Sequence, residues 1–154
     1  MSRRVTRHIE FETAHLLEGY NGKCSRLHGH SYALEITVCG EPTKSDLIAY
    51  RNSQAFGFCM DFKALDQILN DTVPDHLFVA NEQNLVPGKL ENDIVEALKK
   101  HNCAYELMPC APSAENMVDW IVRNVQDKLP EGLAVVEAKL WETSDSYASW
   151  PERV

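Results

Sequence analysis

Hydrophobic residues in the first forty positions alternate with polar ones, which is the pattern of half-buried β-strands. Residues 4–13 and 27–40 both show the alternation, and both are rich in β-branched and aromatic side chains. In the second segment one face carries three aliphatic residues, which are Leu34, Ile36 and Val38. The intervening segment 16–23 contains two glycines and an asparagine, which favour a loop. The sequence therefore predicts an antiparallel hairpin of two strands.

Three later segments carry apolar residues three and four positions apart, which is the spacing of an amphipathic helix. The first begins behind Asp61 as its N-cap and ends near residue 70. The second covers 90–101, and the third begins behind Ser113 and ends before residue 130. A polar, proline-containing segment at 41–56 precedes all three and predicts a long loop or a frayed edge.

Segments 105–108 and 134–143 predict two further strands, the first of them short. In the second, one face carries three aliphatic residues, which are Val136, Ala138 and Leu140. The same face ends in Glu142. A carboxylate in such an apolar setting needs a hydrogen-bond donor, either from the protein or from a ligand.

The order of strands and helices predicts an α+β domain with an antiparallel sheet. A length of 154 residues fits one domain with its own core. So small a sheet exposes its edges and part of an apolar face, which favours oligomerisation. The sequence contains no internal repeat, linker or low-complexity tract.

The composition argues against two classes of partner. A net charge of -8 disfavours non-specific binding to nucleic acid. No run of about 18 apolar residues occurs, and no apolar region follows the basic N-terminus, so neither a membrane span nor a signal peptide is predicted. Five cysteines without close pairs argue against a disulfide framework. The sequence therefore predicts a cytoplasmic protein without a nucleic-acid or membrane partner.

Three histidines form a candidate metal site. His28 and His30 are two positions apart on a predicted strand, so their imidazoles project from the same face. If the segment around His15 runs antiparallel beside them, a third imidazole joins that face. Three neutral histidines leave one tetrahedral position open, which is the pattern of a catalytic zinc. The H-x-H spacing is short enough to occur by chance, and a single histidine is more often an ordinary surface or core residue.

Cys24 lies four residues before the first histidine of the H-x-H pair. Lys23 and Arg26 beside it would favour its thiolate form. In one hypothesis Cys24 is a fourth ligand and closes a structural zinc site. In the other it stays beside an open site as a reactive group. A chain of this length folds without a metal staple, which favours the open site.

Asp75-His76 and Glu115 are further candidate site residues, and for each a purely structural role would also explain the sequence. In Asp75-His76, a carboxylate next to an imidazole fixes its tautomer and supports proton transfer, although solvated turns often contain the same residue types. Glu115 lies in the first turn of the helix predicted behind Ser113. A carboxylate there is more often a partner of the helix dipole than a ligand contact.

Six short motifs follow one another between about residues 5 and 145. They are Phe11-Glu12-Thr13-Ala14-His15, Cys24-x-x-x-His28-Gly29-His30, Met60-Asp61-Phe62, Asp75-His76, Pro112-Ser113-Ala114-Glu115-Asn116 and Glu142-Thr143. In this order they resemble the family of 6-pyruvoyl-tetrahydropterin synthase and 6-carboxy-tetrahydropterin synthase. Any one motif is weak, but six in order make the resemblance specific.

The resemblance implies the tunnelling fold, an antiparallel four-stranded sheet with helices on one side. In this fold trimers assemble into a hexameric barrel whose active sites lie between subunits. The implied substrate is 7,8-dihydroneopterin triphosphate. The implied cofactor is zinc, with three ligands, which are His15, His28 and His30.

The resemblance also implies roles for five other residues. Three of them would move protons, and these are Cys24, Asp75 and His76. Glu142 would bind the guanidine-like edge of the pterin. This would explain why a carboxylate lies on the apolar face of a strand. Glu115 would lie near the pterin as well.

The chain departs from the compact bacterial pattern in two places. It has an inserted helical segment at about 79–111. It also has Ser113-Ala114 where a threonine-containing sequence is commoner. The residues Cys24-Ser25-Arg26-Leu27 favour the 6-carboxy reaction over the 6-pyruvoyl reaction. The presence of a cysteine at position 24 argues against the branch of the family that makes the folate precursor. Two rival hypotheses are a non-catalytic, zinc-stabilised pterin-binding protein and a metal-dependent hydrolase, for which Asp75 is the one candidate base.

Overall fold

The computed structural model describes residues 1–42 and 57–151. Within them, one sheet contains six strands, which are β1 (Arg3–His15), β2 (His28–Gly40), β3 (Leu77–Asn81), β4 (Tyr105–Met108), β5 (Leu133–Thr143) and β6 (Ser146–Trp150). Three α-helices pack on the sheet, which are α1 (Phe62–Asn70), α2 (Leu90–Lys100) and α3 (Ala114–Lys128). Two short 3-10 turns lie in the loops, at Lys23–Ser25 and Glu82–Asn84. The predicted α+β fold class is confirmed.

The strand order across the sheet is β4-β3-β1-β2-β5-β6. The pairs β1/β2, β2/β5 and β5/β6 are antiparallel, whereas β1/β3 and β3/β4 are parallel. The sheet is therefore mixed and six-stranded rather than antiparallel and four-stranded. The sequence does not predict β3 and β6. Strand β3 is buried along nearly its whole length, so its residues form a continuous apolar run instead of an alternation. Strand β6 mixes serine, alanine and aromatic residues without a clear alternation.

Two of the helices begin at the predicted N-caps. The Asp61 carboxylate accepts hydrogen bonds from the N–H groups of Lys63 and Ala64, and the Ser113 hydroxyl accepts one from Asn116. No helix in the described ranges is both long and apolar enough to cross a bilayer. The loop predicted at 41–56 lies outside the described residues beyond position 42.

The main core lies between the sheet and two helices, α1 and α3. Its fully buried side chains include Leu34 and Ile36 of β2, Leu65 of α1 and Ile121 of α3. These are the apolar stripes that the alternation and the helical spacing predict. The core therefore packs against β1 and β2, the two strands of the hairpin that carries the histidines.

Helix α2 packs on the opposite face of β3 from α1 and α3. Val79 belongs to the main core, whereas its neighbours Phe78 and Ala80 form a second cluster with Val95 of α2. Successive side chains of a strand point to opposite faces, so the two clusters lie on the two sides of β3. Leu16, which follows β1 directly and is fully buried, belongs to this second cluster.

A β-bulge changes which residues of β5 face the core. The register between β2 and β5 shifts between Thr37 and Val38, so that Val136 has no direct partner. Val135 is buried and Val136 is only partly buried, which is the reverse of the predicted assignment. After the bulge the alternation continues as predicted through Ala138 and Leu140.

Candidate functional site

The hairpin of β1 and β2 brings three imidazoles together at one end of the sheet. His15 is the register partner of His28, and His30 lies two residues further along β2 on the same face. One ring nitrogen of each residue lies within 4.8 Å of the other two. The structure therefore brings together the three histidines that the sequence predicts as a cluster.

Two backbone carbonyls orient two of these rings. The Nδ1–H of His15 donates to the carbonyl of Pro112 at 2.7 Å, and that of His28 donates to the carbonyl of Arg26 at 2.6 Å. Each Nε2 then carries the lone pair, and the two Nε2 atoms are 3.2 Å apart. Two nitrogens at about 2.0–2.1 Å from one tetrahedral ion would lie about 3.3–3.4 Å apart. Such fixing of the other ring nitrogen is typical of metal-binding histidines.

His30 supplies a buried nitrogen that makes no hydrogen bond within the described residues, although a Glu142 oxygen lies 3.6 Å away. Among the described residues, no group accepts from or donates to its Nε2 within hydrogen-bonding geometry. Burial lowers the pKa of both His15 and His30, which favours the neutral imidazoles that a metal requires. An orphaned nitrogen beside two oriented lone pairs fits a cation that takes nitrogen ligands.

Cys24 lies near the three histidines without joining them. It is half-buried in the turn Lys23–Ser25 and lines the same cavity as His15. In the part of the chain that the structure describes, the group of side chains close enough to share an ion contains the three histidines and not Cys24. This geometry favours the open metal site over the closed site with a fourth, thiolate ligand.

The cavity beside Cys24 is formed by three parts of the chain. It has a volume of about 200 Å³, and its lining includes the side chains of His15, Cys24, Glu115 and Glu142. The β1–β2 loop, the start of α3 and the β5–β6 hairpin supply the rest, which are Leu17, Ser113, Ala114, Ser146, Tyr147 and Ala148. Sites for drug-sized ligands usually measure about 300–1,000 Å³, so the cavity of one chain is small for such a ligand.

Glu142 finds the donor that its position on the apolar face of β5 requires. Its Oε2 accepts a hydrogen bond from the Tyr32 hydroxyl at 3.3 Å, and its Oε1 lies 3.6 Å from Nε2 of His30. Burial, reinforced by the nearby carboxylate, raises the pKa of Tyr32 far above its ordinary value, so that the hydroxyl remains a donor. The Glu142 side chain is 26 % exposed and keeps acceptor capacity toward the cavity.

Asp75 and His76 form a hydrogen-bonded pair at the start of β3. The Nδ1–H of His76 donates to Oδ1 of Asp75 at 2.8 Å, and the same oxygen accepts from the backbone N–H of Glu12 at 2.9 Å. The Glu12 N–H is the main cause that lowers the pKa of Asp75, and His76 contributes further. His76 has a left-handed φ of 56°, and its own N–H donates to the Glu12 carbonyl. Hydrogen bonds to β1 therefore fix a pair whose imidazole is largely exposed.

The Asp75-His76 pair and Cys24 do not face the same cavity of one chain. His76 lines a second cavity of about 600 Å³, together with Glu12 and His30. Cys24 lines the smaller cavity described above. Within one chain Cys24 therefore shares a cavity with Glu115 and Glu142, whereas His76 lines the other cavity.

Sequence reasoning misses two aromatic residues of the site. Tyr32 contacts Glu142 and lies edge-on to His15 and His30, with ring centroids 6.2 and 5.5 Å away. Its position, two residues beyond His30, was a signal that could have found it. Tyr147 lies in the short strand β6, whose pattern gives no comparable signal.

The fold and the site together define a class of protein: an α+β fold whose mixed sheet presents three clustered histidines beside a thiol and a carboxylate. The family model for 6-pyruvoyl tetrahydropterin synthase matches residues 4–153. The chain therefore belongs to the 6-pyruvoyl tetrahydropterin synthase family. The resemblance read from its six motifs is confirmed.

Two curated relatives carry the name of the 6-carboxy enzyme. The 6-carboxy-5,6,7,8-tetrahydropterin synthase of Haemophilus influenzae is 28% identical over 152 residues, which are 97% of this chain and 99% of the relative. The protein of the same name from Rickettsia bellii is 28% identical over 148 residues, covering 94% of this chain and 96% of the relative.

Solved structures share the fold. An uncharacterized protein of Wolinella succinogenes, WS1659, superimposes with a TM-score of 0.66 at 15% identity, covering 97% of both chains. The 6-pyruvoyl tetrahydropterin synthase of Caenorhabditis elegans gives a TM-score of 0.60 at 18% identity, with 99% of this chain and 97% of that chain covered. The tunnelling fold that the resemblance implies is thereby confirmed: β1, β2, β5 and β6 are four consecutive antiparallel strands, which β3 and β4 extend on the side of β1.

Proposed function

We propose that the protein is a zinc-dependent 6-carboxy-5,6,7,8-tetrahydropterin synthase. It would convert 7,8-dihydroneopterin triphosphate to 6-carboxy-tetrahydropterin, with loss of acetaldehyde and triphosphate, as a lyase of queuosine biosynthesis. The observation that carries this proposal is the convergence of three imidazoles, two of them oriented by backbone carbonyls, with the Glu142 carboxylate. The names of the Haemophilus and Rickettsia relatives support the 6-carboxy branch.

His15, His28 and His30 are the proposed zinc ligands. Imidazole nitrogens suit zinc, backbone carbonyls fix the rings of His15 and His28, and three such ligands leave an open position for substrate. Zinc bound there would polarise the vicinal hydroxyls of the substrate side chain and acidify the adjacent C–H bonds. The open position also distinguishes a catalytic site from a purely structural one.

Two groups are proposed to move protons. Cys24, beside the zinc ligands, exchanges a proton with the side chain or ring of the dihydropterin. His76 does the same from the other side, because the Asp75 carboxylate holds its Nδ1–H and leaves Nε2 free to accept or donate a proton. Together these transfers would bring the ring to the tetrahydro state and allow triphosphate to leave.

Glu142 is proposed to bind the pterin. Its free acceptor capacity suits the adjacent N–H groups of the guanidine-like edge, and the Tyr32 hydroxyl keeps the carboxylate oriented. Glu115, on the wall of the same cavity, is proposed to contact the pterin as well. The two carboxylates would thus hold the ring in the cavity that His15 and Cys24 also line.

We propose that complete sites lie between subunits of a cytoplasmic homohexamer built as a dimer of trimers. Cys24 and His76 line different cavities of one chain, so a second copy would have to bring the missing group. The small volume beside Cys24 and the open edges at β4 and β6 support the same proposal. Each chain would be a single domain over 1–154, with 79–111 inserted in it.

Product analysis tests the proposed reaction. The zinc-loaded protein is incubated with 7,8-dihydroneopterin triphosphate, and the products are identified by mass spectrometry. We expect a carboxylated tetrahydropterin together with acetaldehyde. A pyruvoyl tetrahydropterin alone would assign the protein to the 6-pyruvoyl branch, whereas unchanged substrate with zinc still bound would favour a non-catalytic pterin-binding protein.

A further inference from the structure

The loop that carries Cys24 is attached to helix α2 by a carboxylate distant in sequence. Oε1 of Glu18 accepts from the backbone N–H of Leu90 at 3.0 Å, and Oε2 accepts from that of Glu91 at 3.1 Å. Lys89, at the N-cap position of α2, makes no capping hydrogen bond through its side chain. Glu18 therefore caps this helix from 72 and 73 residues away, in place of the usual neighbour in sequence.

The helix end that Glu18 binds is itself firmly held. The Glu91 side chain is fully buried, and its Oε2 accepts from the Asn84 side chain at 2.6 Å. Val95, one turn further on, packs against Phe78 of β3. The first turn of α2 is thus anchored to the sheet, and it offers a rigid attachment point to the loop.

The attachment continues from Glu18 to Cys24. Leu16 and Leu17 precede Glu18 directly, and Leu16 is fully buried in the cluster that contains Val95. The N–H of Leu17 donates to the carbonyl of Cys24 at 2.8 Å, which closes the loop. Leu17 and Cys24 also line the same cavity. A short hydrogen-bonded route therefore connects the cap of α2 to the backbone of Cys24.

We infer that Glu18 is a positioning residue for Cys24, and that the segment from β3 to β4 supports the thiol through it. The inference rests on the proposed function, in which Cys24 transfers a proton. Loss of the cap would loosen residues 17–26, while buried Leu16 and the three histidines on β1 and β2 would stay in place. Turnover would then fall without loss of metal or of substrate affinity.

Glu18→Ala and the isosteric Glu18→Gln test this inference. We expect kcat of Glu18→Ala to fall about tenfold or more, because small misplacements of a reacting group are costly, with KM changed less than about twofold. Glu18→Gln keeps one acceptor oxygen, so it should retain most of the activity that Glu18→Ala loses. Glu96→Ala is the matched control, because Glu96 is an exposed carboxylate on α2 that pairs only with Lys99 among the described residues.

Two readouts do not depend on turnover. Hydrogen exchange of the Leu90 and Glu91 amides should accelerate about tenfold in Glu18→Ala. The alkylation rate of Cys24, measured by mass spectrometry with exposed Cys103 as internal reference, should change by at least about threefold, because the thiol lies in a loosened loop. If wild-type protein had no turnover, these two readouts would still test the attachment.

Each outcome decides the inference. Faster exchange and altered Cys24 alkylation with normal zinc content would support it, and a selective loss of kcat would extend it to catalysis. Unchanged exchange and alkylation in Glu18→Ala would overturn it, as would a loss of activity that merely follows loss of bound zinc. If Glu18→Ala does not fold, the same comparisons apply to Glu18→Gln.

Discussion

The Tyr32 hydroxyl donates a hydrogen bond to Oε2 of Glu142 across the antiparallel pair β2 and β5, at 3.3 Å. The tyrosine is fully buried and stacks on Phe11, with ring centroids 5.4 Å apart. The carboxylate therefore has a fixed donor on one oxygen and faces the cavity with its remaining acceptor sites. This relationship explains how an acidic side chain is tolerated at the end of an apolar strand face.

Glu142→Gln should abolish most of the recognition of the pterin edge. The substitution removes the charge and replaces one acceptor by a donor, and hydrogen bonds to charged groups contribute about 1.5–3 kcal/mol. We expect kcat/KM to fall about 10- to 150-fold while zinc content stays unchanged. Tyr32→Phe is the control: it keeps the ring and should cost no more than about tenfold. Wild-type kinetics in Glu142→Gln would show that the pterin edge binds elsewhere.

Cys24→Ala should separate metal binding from turnover. Since the three histidines are placed without Cys24, we expect metal analysis to give the same zinc content as wild type. Turnover should fall by at least about 100-fold, the usual contribution of a proton-transferring group. His28→Ala should instead lose most of the zinc, because it removes one of three ligands. Loss of zinc from Cys24→Ala would favour the closed structural site and the non-catalytic protein.

The cluster of three histidines could be predicted because its geometry is local. The i, i+2 spacing of His28 and His30 fixes one face of one strand, and a short hairpin suffices to add His15. Glu142 was identifiable by the same alternation, because an acidic residue interrupts an apolar face. The faces of side chains on regular strand segments without a bulge can therefore be predicted from periodicity.

Other parts of the fold depend on contacts between distant segments. The bulge that buries Val135 instead of Val136 appears only when β2 and β5 are paired. Glu18 caps α2 from a position 72 residues away in sequence, so no local sequence pattern predicts this contact. The separation of Cys24 from His76 is likewise a property of the folded chain.

Glu91 should make stability depend on pH. Burial raises its pKa above the ordinary 4.5, so the folded state binds the proton more tightly than the unfolded state. The stability that protonated Glu91 contributes is complete below the unfolded value and is lost as the pH rises through the folded value. We expect the Tm of wild type to fall relative to Glu91→Gln between pH 4 and 8. Glu96→Gln, on the same helix but exposed, should run parallel to wild type.

Two inactive variants should restore each other's activity if sites are shared between subunits. Cys24→Ala and His76→Ala remove groups that line different cavities of one chain. In a randomly mixed oligomer, about one quarter of the sites formed between two chains would receive intact Cys24 from one and intact His76 from the other. We therefore expect the co-expressed pair to recover about 25% of wild-type turnover, with each variant alone near background.

The matched control for this mixing experiment is co-expression of Cys24→Ala with Cys24→Ser, which provides no intact thiol and should remain inactive. Native mass spectrometry checks that the two kinds of subunit are present in one oligomer. Mixed oligomers without recovered turnover would mean that Cys24 and His76 of the same chain act together. Such a result would require the two cavities of one chain to open into each other around His30, which belongs to the histidine cluster and also lines the cavity of His76.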